Sequence, residues 1–232
     1  MPFNELLADA AIIQAETQAR LTDFLGEGAT YDGDWNLDLQ AGVFSMASTS
    51  GVPPFVCRAE LLGSASPEAG TWLWAWANSS FSPEMIERSS LIREFGERYD
   101  IPELRDAAVD LDGVDPRQFA WWMGAVAALV LGQLPTYTFP AGGGTIGAVL
   151  LIDDRLQLPA PSVPRLLRSA GEATESVLVA RRSVQTWASV RGVPLEETPD
   201  GLRVVLSDGH AEFSFDEQNR LINISGHAGP SA

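Results

Sequence analysis

From Gln118 to Ile152 the chain runs for 35 residues without a charged side chain, and a stretch of that length is excluded from water by a fold or by a membrane. Gln133, Pro135, Pro140 and the run Gly142-Gly143-Gly144 interrupt it. Its helical part, Phe119 to Leu134, would span roughly 24 Å at about 1.5 Å per residue, short of a hydrocarbon core of about 30 Å. The stretch therefore predicts a buried helix of a soluble protein, followed at Thr145 to Ile152 by a buried strand.

Around this core the turn residues divide the chain. Phe3 to Leu25 carries apolar residues at close to helical spacing with Gly26 at its end, and predicts an amphipathic helix. Asp34 to Gln40, Val43 to Ser48, Phe55 to Ser66 and Thr71 to Asn78 are aromatic or β-branched runs separated by Asp32-Gly33, Pro53-Pro54 and Pro67, and read as an antiparallel meander. Ser82-Pro83 predicts the start of a helix running to about Tyr99, and Asp115-Pro116 the start of the next. Ile101 to Asp115 reads as an acidic connector. Ser162 opens a single long helix to Gly192, with Leu166, Ala170, Ala173, Val177, Ala180, Val184 and Trp187 facing inward. Leu202 to Ser207, Ala211 to Phe215 and Leu221 to Ser225, with the Asp208-Gly209 hairpin signal, form a second meander. The fold class is α+β: amphipathic helices on antiparallel meanders, in two helix-plus-meander units around a central hydrophobic helix. The expected division is residues 1–116, acidic, and residues 117–232, holding the hydrophobic helix, the buried strand, the long helix and the closing hairpins.

Charge narrows the function. The 31 acidic residues against 15 basic ones give a net charge of -16, which disfavours nucleic acid and anionic lipid as direct partners. Twenty acids and six Arg precede the Pro116 cut, and 11 acids and nine Arg follow it, or -14 against -2. Within the first part, Asp100, Glu103, Asp106, Asp110, Asp112 and Asp115 crowd into sixteen residues, and Asp32, Asp34 and Asp38 surround the first strand. These nine carboxylates are the candidate partner-binding residues: a negative patch steers a basic protein, and that protein's Arg and Lys neutralise it. The alternative for the same residues is a set of solvated loops. A calcium loop needs oxygens at tight alternating positions with a turn glycine, and Asp110-Leu-Asp112-Gly-Val-Asp115 only half resembles that.

Other chemistry finds little support. Cys57 is the sole cysteine, which excludes an internal disulfide and multi-Cys zinc sites and fits a reducing compartment. With no basic segment ahead of an apolar stretch at the N-terminus, the expected location is the cytoplasm. His210 and His227 lack metal-ligand spacing. Gly142-Gly143-Gly144-Thr145-Ile146-Gly147 formally matches G-x-G-x-x-G, yet a strand-like run follows it where a dinucleotide site needs a helix. No catalytic residue, metal or cofactor is expected, and the chain does not read as an enzyme. Trp72, Trp74 and Trp76 alternate, so a strand over Thr71 to Asn78 would put three indoles on one face. That face is core packing or, in the alternative reading of function, the wall of a ligand-binding or enzymatic pocket.

Thr71-Trp-Leu-Trp-Ala-Trp-Ala-Asn78, with Pro83 and the stretch Arg93 to Leu104, resembles the signature of an uncharacterised bacterial domain family built around W-x-W-x-W-A-N. The resemblance is specific over about residues 55 to 105 and looser over Ser162 to Ser225. Its members are similar in general character to acidic immunity proteins that bacteria keep beside secreted antibacterial toxins, type VI effectors among them. The resemblance implies an immunity protein that binds a basic toxin, a nuclease (DNase) domain in particular, and blocks or distorts its active site.

Overall fold

The computed structural model describes residues 1–26, 28–176 and 179–229. The chain is α+β, and it divides into two compact units: Met1–Phe3 with Arg20–Gln157, and Asn4–Ala19 with Leu158–Ala232. The expected boundary at Pro116 is therefore displaced. Helix α4 (Pro116–Val130) and the hairpin β6 (Thr136–Gly142) and β7 (Thr145–Ile152) belong to the first unit, because β7 pairs along most of β3 (Phe55–Ser66). Helix α1 (Phe3–Leu25) contributes residues to both units. It is also less amphipathic than its pattern predicts, since Gln14, Glu16 and Thr17 are as buried as the apolar residues around them.

In the first unit β3 is the axis. One edge carries β7 and then β6; the other is shared by two strands, β2 (Val43–Met46) on its first residues and β4 (Thr71–Trp74) on its last. β1 (Trp35–Asp38) extends the β2 arm and β5 (Ala108–Asp110) the β4 arm, so the expected antiparallel meander is present and forks at β3. In the gap between the arms the N–H of Ala59 donates to Gly42 O and that of Leu61 to Met85 O, at 2.8 and 3.0 Å. These bonds satisfy an edge that would otherwise be bare.

One face of this sheet is covered by α2 (Glu87–Tyr99) and α4. Asp115 caps α4 as expected, accepting from the N–H groups of Arg117 and Gln118 at 2.9 and 3.3 Å. Helix α2, in contrast, starts at Glu87 and not near Ser82. Its early N–H at Arg88 is taken, at 3.0 Å, by the carboxylate of Glu60 on β3, which is fully buried and also holds the guanidinium groups of Arg88 and Arg58. A buried carboxylate at a helix N-terminus satisfies a free donor and meets the positive end of the helix dipole. On the other face, aromatic rings of β1 and β2 meet those of β6: Trp35 lies 5.7 Å from Tyr137 and 6.4 Å from Phe139, and Phe44 4.9 Å from Tyr137, centroid to centroid. The sheet thus curls around a core that includes Phe44, Phe55, Ala59, Leu61, Val149 and Leu151. Near Phe55 that core receives Leu21, Phe24 and Leu25 of α1.

In the second unit β8 (Leu195–Thr198), β9 (Gly201–Leu206), β10 (Gly209–Phe215) and β11 (Leu221–Ala228) form an antiparallel meander. The expected single helix is two, α5 (Val163–Ser176) and α6 (Arg181–Arg191). Ala180 is extended, at φ -109 and ψ 168, because it bridges to Arg220 beside β11 while its N–H donates to Ser183 Oγ. Val177, expected inward, lies outside the described residues. Between α1 and α6 runs a buried polar seam: Asp9 accepts both arms of Arg182 at 2.7 and 2.8 Å and Thr186 Oγ1 at 3.2 Å, and Glu16 accepts the indole N–H of Trp187 at 2.9 Å with Arg191 3.4 Å away.

Candidate partner-binding surface

Three of the nine acids lie on or beside β1, and the other six run from the end of α2 through α3 and β5 to the cap of α4. Asp32 accepts from the hydroxyl and N–H of Thr49, at 2.7 and 3.1 Å, which holds its carboxyl below the usual range. Asp38, ending β1, accepts from the N–H groups of Gln40 and Ala41, both at 2.9 Å, and so fixes the turn into β2. Asp34 is exposed and its side chain has no partner among the described residues.

On the other arm Asp100 ends α2 in the left-handed conformation, φ 51. Arg105, in the short α3 (Pro102–Arg105), lies 2.5 Å from Asp100 and 3.1 Å from Asp106 and joins the two. Asp115 is committed to the α4 cap. Glu103 on α3, Asp110 on β5 and Asp112 in the turn that follows have no side-chain partner among the described residues. The expected connector is thus a helical turn and a strand, and its acids divide into those that hold the chain and those that only face outward. Among the described residues no hydrogen bond or ion pair joins the Asp32–Asp38 set to the Asp100–Asp115 set. No group of three or more His, Cys, Asp or Glu among the described residues is arranged to hold a metal.

The charge asymmetry softens when the acids are counted by structural unit. The first unit carries 19 acids and eight Arg, net -11, and the second 12 acids and seven Arg, net -5. Glu5, Asp9 and Glu16 of α1 move to the second unit, where Glu5 and Asp9 meet Arg182 and Glu16 meets Arg191. These buried or half-buried carboxylates were missed as functional groups of the fold; the signal for them was an acid at an apolar position, as Glu60 is between Ala59 and Leu61.

The Trp repeat does not form an open wall. β4 ends at Trp74 and residues Ala75–Ala77 turn as a 3-10 helix, so Trp76 leaves the strand. Trp72 and Trp74 share the helix-covered face, fully buried, with ring centroids 5.4 Å apart. Gly63 makes room for them, since a Cβ there would stand 2.4 Å from the Trp72 ring. Rings so enclosed cannot stack a ligand without leaving the core. Trp76 lies under Arg93, whose guanidinium is 4.9 Å from the ring centroid. His210 and His227 are opposed on β10 and β11 with nearly parallel rings, 17° apart, so their in-plane lone pairs do not converge on a metal. Gly142 to Gly144 all take positive φ and form the tight turn between β6 and β7, a strand hairpin and not the mouth of a dinucleotide site. Among the described residues no helix is long and apolar enough to cross a membrane.

Residues 4–155 match a family model described as a family of unknown function (DUF6882). The match takes in α1 and the first unit to just past β7, and stops short of α5 and the second sheet. No curated protein and no solved structure matches the chain.

Proposed function

The chain belongs to DUF6882, a family of unknown function, and we propose that it is a binding protein of the immunity type, which takes a basic toxin on the acidic arms of its first unit. The observation that carries this reading is that Asp34, Glu103, Asp110 and Asp112 present carboxylates with no side-chain partner among the described residues, on arms of a unit with net charge -11. Carboxylates whose side chains make no hydrogen bond and pair with no Arg are free to meet the Arg and Lys of a cationic partner. A nuclease is the favoured partner class, because a surface that attracts phosphate is necessarily basic and an acidic inhibitor competes for it. Charge sets the association rate, while affinity needs apolar anchors. Trp35, 39% exposed and next to Asp34, is the anchor this reading selects. The setting is the cytoplasm, where such an inhibitor protects the cell that makes the toxin.

Co-expression with the candidate toxin encoded beside it tests the proposal: growth is rescued and a complex is recovered. In that complex, replacing Asp34, Asp110 and Asp112 together with Asn slows association several-fold and flattens its salt dependence, while Trp35→Ala speeds dissociation. Failure of both rescue and complex formation overturns the reading. Unchanged kinetics for the triple variant across a salt series would leave a binding protein whose interface lies off these arms.

A further inference from the structure

The same unit contains a cavity that the acidic arms do not explain. It has a volume of about 160 Å³ and lies on the curled face of the sheet, at the fork, where β3 passes from β2 to β4. Leu39, Leu61, Leu73, Phe81 and Phe139 supply its apolar walls. Three features of the chain create it. The fork leaves β3 without a full-length neighbour on that edge. Position 147 is a glycine, and the ring of Phe139 lies where its Cβ would be, 2.3 Å away. The Trp repeat also changes direction here: the Trp72 and Trp74 rings are buried against each other, the 3-10 turn follows, and Trp74, Ala75 and Asn78 border the space. Residues of one repeat thus both anchor the strand and shape the cavity.

We propose that this cavity binds a small uncharged molecule the size of a single ring and carrying one hydrogen-bonding substituent. Size is the first argument, since an apolar cavity on the order of 150 Å³ accommodates a benzene ring. Charge is the second: no charged residue lines the space, and a unit of net charge -11 disfavours carboxylates. Polarity is the third. Ser64 lines the cavity and its hydroxyl makes no hydrogen bond among the described residues, and Asn78 uses its Oδ1 on the N–H of Ser80, at 3.0 Å, with its Nδ2 donors unspent. Apolar walls with a few convergent polar groups are the usual make-up of a small-molecule site. Leu73 and Ala141, both exposed, mark the entrance. The site is separate from the partner reading and survives its failure.

Phenol is the probe, titrated into the full chain and followed by amide chemical shifts. Saturable shifts clustered at Ser64, Asn78 and Phe139 are expected, with benzoate at least tenfold weaker. Ser64→Ala should weaken phenol several-fold and leave toluene unchanged, a split that general loosening of the fold would not produce. Ala141→Trp, filling the entrance from an exposed position, should abolish the response; if that variant does not fold, Leu73→Trp replaces it and decides the point. The asparagine variants of Asp34, Asp110 and Asp112 should bind phenol as the parent does. Shifts that fail to saturate, that lie elsewhere, or that persist in the filled variant would overturn the proposal.

Discussion

The indole N–H of Trp74 donates to the main-chain oxygen of Glu103 across 2.9 Å, tying the inner face of β4 to the turn of helix that carries the acidic arm. Both the hydrogen bond and the ring matter to that tie, and they can be separated. Trp74→Ala should cost about 3 to 5 kcal/mol through the cavity it leaves. Trp74→Phe keeps much of the packing but leaves the Glu103 carbonyl unsatisfied, and should cost about 1 to 3 kcal/mol. Urea denaturation of the two variants measures both.

Two glycines give opposite expectations for the same substitution. At Gly63 an added Cβ would lie 2.4 Å from the Trp72 ring and 2.6 Å from Leu73 O, whereas at Gly171, inside α5, nothing lies within 4 Å. Gly63→Ala should destabilise by about 1 to 3 kcal/mol or more, because both the ring and the strand must shift. Gly171→Ala should stabilise by roughly 0.5 to 1 kcal/mol through helix propensity. Thermal melting places the two on either side of the parent.

Acid stability has two opposing contributions. Hydrogen bonds from Thr49, Arg155, Arg203 and Arg220 hold Asp32, Asp153, Glu212 and Asp216 below the usual carboxylate range. Each contributes stability that is present above the ordinary carboxylate pKa and is lost as the pH falls through its own lower value. Burial raises Glu16, against the opposing pull of Arg191 and the Trp187 N–H. Its folded state therefore takes up a proton before the unfolded chain does, and stability is gained as the pH falls through that raised value. Asp153→Asn should flatten the acid limb of a plot of stability against pH, and Glu16→Gln should steepen it. Urea midpoints between pH 7 and about pH 2 test both signs.

The Cys57 thiol is pushed up to about 12, chiefly by burial and then by the negative charge of Asp153. Since the thiolate is the reactive form, the folded protein should resist iodoacetamide at pH 8 and become fully labelled in denaturant. Mass spectrometry of the two samples reads the result. Rapid labelling of the native protein would mean that the core around Phe55 and Leu151 opens easily.

What could be read from the sequence follows the range of the interactions involved. The bounds of β3 and β7 are visible because Pro53-Pro54, Pro67 and the glycine turn delimit them, and the Asp115 cap because its partners are two and three residues away. The start of α2 is not visible at Ser82, because its cap comes from Glu60, 28 residues from Arg88. The break between α5 and α6 is set by Arg220, and the seam under α1 by residues 171 to 177 positions distant. The candidate surface divides in the same way. Its acids are evident as composition, but which of them serve as Asx turns, caps and Arg clamps, and which are spare, depends on where the backbone turns. The cavity is not visible because it is made by a fork in the sheet, where β2 and β4 share one edge of β3.

Helix α1 imposes an order on how the protein is made. Its residues 4–19 complete a unit whose other parts begin at Leu158, and Arg182 lies 173 residues beyond Asp9. At synthesis rates of about 5 to 20 residues per second, the helix waits roughly 9 to 35 s for that partner to be made. Late in that interval, once Ile152 has been made, the curled sheet can close, whereas the apolar flank of the first helix and its two seam carboxylates stay in water. A helix made before the sheet is thus among the last segments to be fully packed, and until Arg191 has been made the nascent chain offers it to aggregation and proteolysis.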